Sequence, residues 1–390
     1  MRNFIITMMG LMSFLAHSIE DKQSSPSKKS KATFNIDGYL MLDHDYYSPF
    51  YDKNSEEYQH KTEIRRSKIG ITVRPDKYIK SKLQIKYARS FDDESKLTLG
   101  DAYLRVENRQ SMGFQIGHMK EPFGLEQQTS SSELISIERS LPSAVFSPSR
   151  SYGIQIDQKD KFYTVAAGYF INRATDEEFA LTHFDLSKKK DEDTEAVTMR
   201  VTMAPIRNKK TTLHIGSTLS KRWLNGEKIQ YKSNAEVNAG DSIVRGPRFY
   251  AKQSMIYQMD LALHRKNLLM QAEFFSNTLQ QVDDNNWHFS GAYFQASYKI
   301  RGDYRYKKGE FKSSNDDKRM AIEGVIRHSY LNLEDNNIGS KTSSSLVGIN
   351  VHINHHFKIM MNMSTPWVTG DTTNTHQTGR AYSLRAQLRF

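Results

Sequence analysis

The sequence predicts an all-β fold: a transmembrane, antiparallel β-barrel of about sixteen strands with one long constriction loop folded inward. Three observations carry this. Short runs of alternating apolar and polar residues recur through the chain, and no long stripe of helical period competes with them. Their connections alternate between long and tight, the layout of an outer-membrane barrel. The last run, Tyr382 to Phe390, alternates throughout and ends on an aromatic residue.

Arg2 is followed by an apolar stretch from Phe4 to Leu15 and by small residues at Ala16 and Ser18. That order reads as a secretory signal over residues 1–18. Residues 19–32 are polar and lysine- and serine-rich, with little to bury, and read as a flexible linker. Residues 33–390 are then the barrel domain. Its clearest runs place Ile69, Ile71 and Val73 on one face, then Leu83, Ile85 and Tyr87, then Ala102, Leu104 and Val106. Val197, Met199, Val201 and Met203 follow, then Leu213 with Ile215, and finally Val347, Ile349, Val351 and Ile353. A strand with its connection takes roughly 22 residues, which gives an even count near sixteen. Long polar connections are expected on one side near Ser48–Lys61, Thr175–Thr194, Asn225–Arg245, Lys307–Lys318 and Glu334–Ser344. Tight links such as Arg74–Lys77 and Pro205–Asn208 belong to the other side. The charge run Lys188–Asp193 reads as a solvated loop.

Composition sets limits. With no cysteine there is no thiol nucleophile, disulfide framework or cysteine-ligated metal. Mean hydropathy is −0.67, and beyond the N-terminus no apolar run approaches a helical span. A barrel survives that test because only alternate strand residues meet lipid. The net charge of +11 suits anionic solutes, lipid headgroups or nucleic acid, and the signal segment argues against nucleic acid.

The terminal strand fixes orientation by energy. An arginine facing lipid at the bilayer midplane costs about 2–4 kcal/mol. Arg385 and Arg389 should therefore face the lumen, and Tyr382, Leu384, Ala386, Leu388 and Phe390 the lipid. The same parity gathers Arg66, Lys68 and Arg74 inside from one strand, Lys82 and Lys86 from the next, and Arg105 from a third. Rings of arginine and lysine favour anions, and the guanidinium fork matches oxyanions two atoms at a time. Asp101 and Glu107 interrupt this wall and would keep binding weak enough for release.

The stretch from Phe114 to Gly124 starts as a strand and breaks at Pro122. About 25 irregular residues follow, a length usually functional or disordered. Phe123, Leu125, Leu134, Ile135, Ile137, Leu141, Val145 and Phe146 give it too much apolar surface for a solvated tail. It is expected to fold onto the inner wall and narrow a passage, with Lys120, Ser130, Ser131, Ser132 and Arg139 as further anion contacts. Glu121, Glu126, Glu133 and Glu138 on the same loop leave the solute open. His352, His355 and His356 lack supporting ligands, so no metal is expected, nor any cofactor. No phosphate-cradling loop or hydrolase motif appears.

The loop sequence "GHMKEPFGLEQQTSSSELISIERSLP" resembles the corresponding segment of the phosphate-selective porin O and P family. So do "RRSKIGITV", "LTLGDAYLRV", "VIRHSYLNLED", "SLVGINVHIN" and the ending "SLRAQLRF", in that order from about Arg65 to Phe390. The resemblance implies a non-enzymatic porin of the bacterial outer membrane, a homotrimer surrounded by outer-membrane lipid. It also implies passive diffusion of small inorganic anions such as phosphate or polyphosphate. Arg65 and Arg66 match the paired arginines that open the family's conserved strand. An ideal strand turns only one of them inward, whereas a bulge or a strand end admits both. Phe390 resembles the C-terminal signature read by the barrel assembly machinery. The family's phosphate-selective members carry a lysine on the inward loop near the Thr-Ser-Ser segment, and here Ser132-Glu133 follows Thr129-Ser130-Ser131. A porin without phosphate selectivity, or a lipase-like barrel enzyme, is the alternative reading.

Overall fold

The computed structural model describes residues 32–89, 95–172, 193–208, 210–314, 320–371 and 376–390. The expected signal, nearly all of the linker, and most of the Thr175–Thr194 connection with its charge run lie outside the described residues.

Sixteen strands close into one antiparallel barrel. In order they are β1 (Thr33–Tyr47), β2 (Gln59–Arg74), β3 (Ile79–Arg89), β4 (Ser95–Glu107), β5 (Met112–Lys120), β6 (Arg150–Lys159), β7 (Tyr163–Asn172), β8 (Thr194–Arg207) and β9 (Thr211–Ile229). After a short hairpin, β10 (Lys232–Ser233) and β11 (Val244–Arg245), come β12 (Phe249–Arg265), β13 (Leu268–Gln281) and β14 (Asn286–Lys299). A second hairpin, β15 (Asp303–Lys307) and β16 (Glu310–Ser314), precedes β17 (Ala321–Asn332), β18 (Ser340–His352), β19 (Phe357–Gly370) and β20 (Ala381–Arg389). β20 pairs with β1 from Tyr39↔Arg389 to Tyr47↔Ala381 and closes the ring.

Parity holds as the alternation requires. Leu384, Leu388 and Phe390 are 43%, 44% and 54% exposed on the outer surface, while Arg385 is fully buried inside. Ile69, Ile71, Leu83, Ile85, Met199 and Val201 share the outer face. The start of β1, the end of β20 and the short turns gather at one end, the periplasmic end in such barrels.

The lumen is unevenly filled. The segment after β5, with short helices α1 (Leu125–Gln128) and α2 (Leu141–Phe146), packs its apolar residues against the β9–β11 connection and the strands behind it. Phe123, Leu141, Val145 and Phe146 join Tyr231, Val237, Phe275, Phe289 and Leu331 in one buried cluster. An apolar core therefore occupies the extracellular half of the barrel beside β9–β19.

The Lys307–Lys318 connection departs from expectation. It lies at the short-turn end and belongs to the β15–β16 hairpin, which turns into the barrel. Tyr304 and Phe311 pack against Leu125 and Ile135. Lys308 and Gly309 both take positive φ, as a two-residue hairpin turn requires. The tip reaches the opposite wall, with Lys308 Nζ 3.7 Å from Glu107. Alternation again explains it: Tyr304, Tyr306 and Phe311 face the packed side, and Arg305, Lys307 and Lys312 are exposed. Replacing residues 303–314 by a short glycine linker is expected to raise single-channel conductance; unchanged conductance would show that the hairpin does not limit flow. The Pro205–Asn208 link is also corrected, since β8 runs on to Arg207 and the turn follows it.

Candidate functional site

The site is built where the loop after β5 meets the barrel wall. In β2 the register slips beside Met41 and Leu42, which pair with Arg66 and Ile64. Arg65 is the extra residue of this bulge, and both arginines turn inward onto Glu138 of the loop. Arg65 Nε donates at 3.0 Å and Arg66 Nη2 at 2.8 Å. Arg385 Nη2 adds a third contact at 3.0 Å. Arg385 also holds Asp43 at 2.7 and 2.6 Å and donates to the Ile137 carbonyl.

The other loop glutamates are likewise tied to the wall. Glu121 accepts from Arg222 at 2.8 and 3.1 Å, from Ser151 and from Thr198. Glu126 accepts from the Ser140 backbone and hydroxyl and lies 3.5 Å from Arg327. Glu133 pairs with Arg389 and accepts from the Ser313 backbone. Glu273 on β13 takes the backbone N–H groups of Leu125 and Glu126. The loop's acidic groups are thus anchors, which the sequence alone left unassigned.

The loop's cations are engaged differently. Lys120 donates to the carbonyls of Gln127, Gln128 and Thr129 at 2.7–3.3 Å, and Arg139 to those of Glu126 and Thr129. Carbonyl oxygens satisfy their hydrogens without cancelling their charge. Ser130 and Ser132 bond to each other at 3.1 Å, and Ser131 reaches the Tyr39 phenol.

Exposure divides the inner wall. Lumen-facing residues of β12–β14 and β17–β20 are almost uniformly buried beneath the loops. On β2–β6 many keep partial exposure: Arg66, Lys68, Lys80, Lys82, Asp101, Tyr103 and Arg150. Lys68 lies 3.9 Å from Asp37 and 4.8 Å above the Tyr39 ring. Lys82 (3.6 Å) and Arg150 (2.6 Å) share one partner, Asp101, so positive charge remains in excess. Lys86 is half-buried and Arg74 exposed on this side. Arg105 fits the expected wall least well. It is buried and clamped by Asp157 at 2.5 and 2.8 Å and by Glu107 at 3.2 Å, so its charge is cancelled.

Lys80 was missed by sequence reading, although it shares parity with Lys82. It donates to the Tyr103 hydroxyl at 2.8 Å. His352 bonds Glu323 at 2.7 Å, and no cluster of three metal-binding side chains exists among the described residues.

Burial alone would raise the Glu138 carboxyl, but Arg65, Arg66 and Arg385 outweigh it and hold it well below the usual carboxylate range. Its folded value is depressed, so the clamp stabilises fully above the unfolded value near pH ~4.3. That stabilisation is lost only as pH falls through the lower folded value. Folded gel mobility and channel current are therefore expected to hold from neutrality to about pH 4. Loss of either on that interval would contradict the clamp.

A family model described as phosphate-selective porin O and P matches residues 34–390. No sequence among curated proteins matches the chain. Among solved structures, OmpT of Vibrio cholerae superposes with a TM-score of 0.58 at 10% identity, covering 94% of this chain and 100% of its own. An anion-selective porin from Comamonas acidovorans gives 0.58 at 8% identity, covering 92% and 100%. The outer-membrane channel DcaP of Acinetobacter baumannii gives 0.54 at 11% identity, covering 94% and 100%. At these identities the likeness is one of fold. The family match spans nearly the whole described chain, and the closed sixteen-strand barrel agrees with it: the chain belongs to the phosphate-selective porin O and P family and is a porin of the bacterial outer membrane.

Proposed function

We propose that this porin passes small anions by diffusion along the β2–β6 wall, between the strands and the loop after β5. The supporting observation is partial exposure concentrated where Arg66, Lys68, Lys80, Lys82 and Arg150 gather around one carboxylate, Asp101. Lys120, at the end of β5 beside Arg150, and Arg139 on the loop add to this charge, and Ser130 and Ser131 supply hydroxyls. Such a wall attracts anions through its field and releases them because no single site is fully enclosed. Phosphate-like oxyanions suit the guanidinium forks, in keeping with the family name. The loop's tethered glutamates do not oppose this, because their charges are spent on wall arginines.

The chain acts without catalysis, as a trimer set in outer-membrane lipid and assembled through its terminal strand ending in Phe390. The relatives support anion passage by analogy, one being named an anion-selective porin and OmpT having a trimer form. Planar-bilayer recording in a KCl gradient tests the reading. The reversal potential should have the sign of chloride preference, and phosphate should reduce the chloride current. Cation preference would overturn anion passage; absence of phosphate block would leave a general anion pore.

A further inference from the structure

We propose that exposed cations around the periplasmic rim form a collar for the anionic headgroups of glycerophospholipids in the inner leaflet of the outer membrane. Among the described residues, six of the seven connections at this end project one: Lys77, Arg109, Lys161, Lys210, Lys266 and Arg301, all exposed. The acids beside them are turned into the backbone. Asp76 accepts from the N–H groups of Tyr78 and Ile79 at 2.7 and 2.9 Å, and Asp160 from that of Phe162 at 3.0 Å.

The opposite rim is mixed, with Lys53, Arg248 and Arg380 exposed but acids alone in two of its connections. Its connection between β13 and β14 carries Asp283 and Asp284, and that between β17 and β18 carries Glu334 and Asp335, with no lysine or arginine in either. The collar cations lie beyond an apolar and aromatic band. Phe162, Tyr163, Tyr298, Ile300 and Phe390 are 44–64% exposed at the same end. Lys77 Nζ sits 4.9 Å over the Tyr78 ring and Lys161 Nζ 5.0 Å over Phe162. Rings at the edge of the hydrocarbon with cations just outside them match the depth profile of a leaflet and its phosphates. The cations also run around the barrel from β2 to β17, so a ligand that surrounds the protein fits them. A periplasmic protein would dock on one side. One cation beside an anionic surface raises headgroup occupancy about fivefold.

The test uses full-length protein in vesicles carrying Phe162→Trp as a rim reporter, with the unsubstituted protein as baseline. Brominated phosphatidylglycerol is compared with brominated phosphatidylcholine as quencher. Phosphatidylglycerol is expected to be favoured about fivefold at low salt, with the preference collapsing at about 0.5 M NaCl. It should also collapse in a variant with K77Q, R109Q, K161Q, K210Q, K266Q and R301Q. Equal quenching by both lipids at low salt overturns the collar, and so does a preference that survives salt. If the multiple variant does not fold, the salt series on the Phe162→Trp protein decides the matter.

Discussion

Glu138→Ala is expected to destabilise the folded barrel by about 3–5 kcal/mol, the cost of leaving buried charge without its partner. Glu138 is held by Arg65, Arg66 and Arg385, whose side chains are 10%, 16% and 0% exposed. Removing one carboxylate leaves three guanidinium groups crowded together in the interior. Arg385 keeps Asp43, whereas Arg66 has no second carboxylate among the ion pairs of the described residues. Glu138→Gln should recover part of the loss, since an amide oxygen still accepts hydrogen bonds. Denaturant midpoints read by heat-modifiable mobility measure the change. Channel records should show added current noise as the loop loosens from β2 and β20. A variant as stable and as quiet as wild type would mean that the loop is held by its apolar cluster alone.

The combined change Lys68→Glu, Lys80→Glu and Lys82→Glu is expected to turn anion preference into cation preference. Each replacement alters the local charge by two, in a narrow region where charges are screened less than in bulk water. A field change of about 1.4 kcal/mol already shifts a permeability ratio tenfold, and three reversals beside Asp101 should exceed that. The folded barrel should persist, because the three lysines are partly exposed and their ionic contacts are loose, Lys82 lying 3.6 Å from Asp101. Lys68 lies 3.9 Å from Asp37, and Lys80 bonds a phenol. The reversal potential in a salt gradient should change sign. Retention of anion preference would place the selective region elsewhere.

Much of this was legible in the sequence because a barrel strand writes its two environments into alternate residues. Leu384 and Arg385 could be assigned to opposite media from desolvation cost alone, whereas the Arg65–Arg66 pair left open whether a bulge or a strand end would turn both inward. The inward turn of the β15–β16 hairpin was not legible. Tyr304, Tyr306 and Phe311 carry a strand-like pattern, but nothing local says that their apolar side packs on Leu125 and Ile135. The role of the loop glutamates was hidden for a related reason. Glu138 meets Arg385 across nearly two-thirds of the chain, and only closure of the ring brings β20 beside β1 and β2. Arg105 was overvalued because its neutralising partner, Asp157, stands two strands away.

The absence of native cysteine makes the route directly measurable, since any introduced thiol is unique. Lys82→Cys on the half-exposed wall and Ser344→Cys on the filled wall, where Ser344 is 1% exposed, are compared during channel recording. An anionic thiosulfonate reagent should label Lys82→Cys rapidly and lower the current, while Ser344→Cys stays unreactive in the folded channel. Rapid labelling at Ser344→Cys with Lys82→Cys inert would place the passage on the wrong side of the loop.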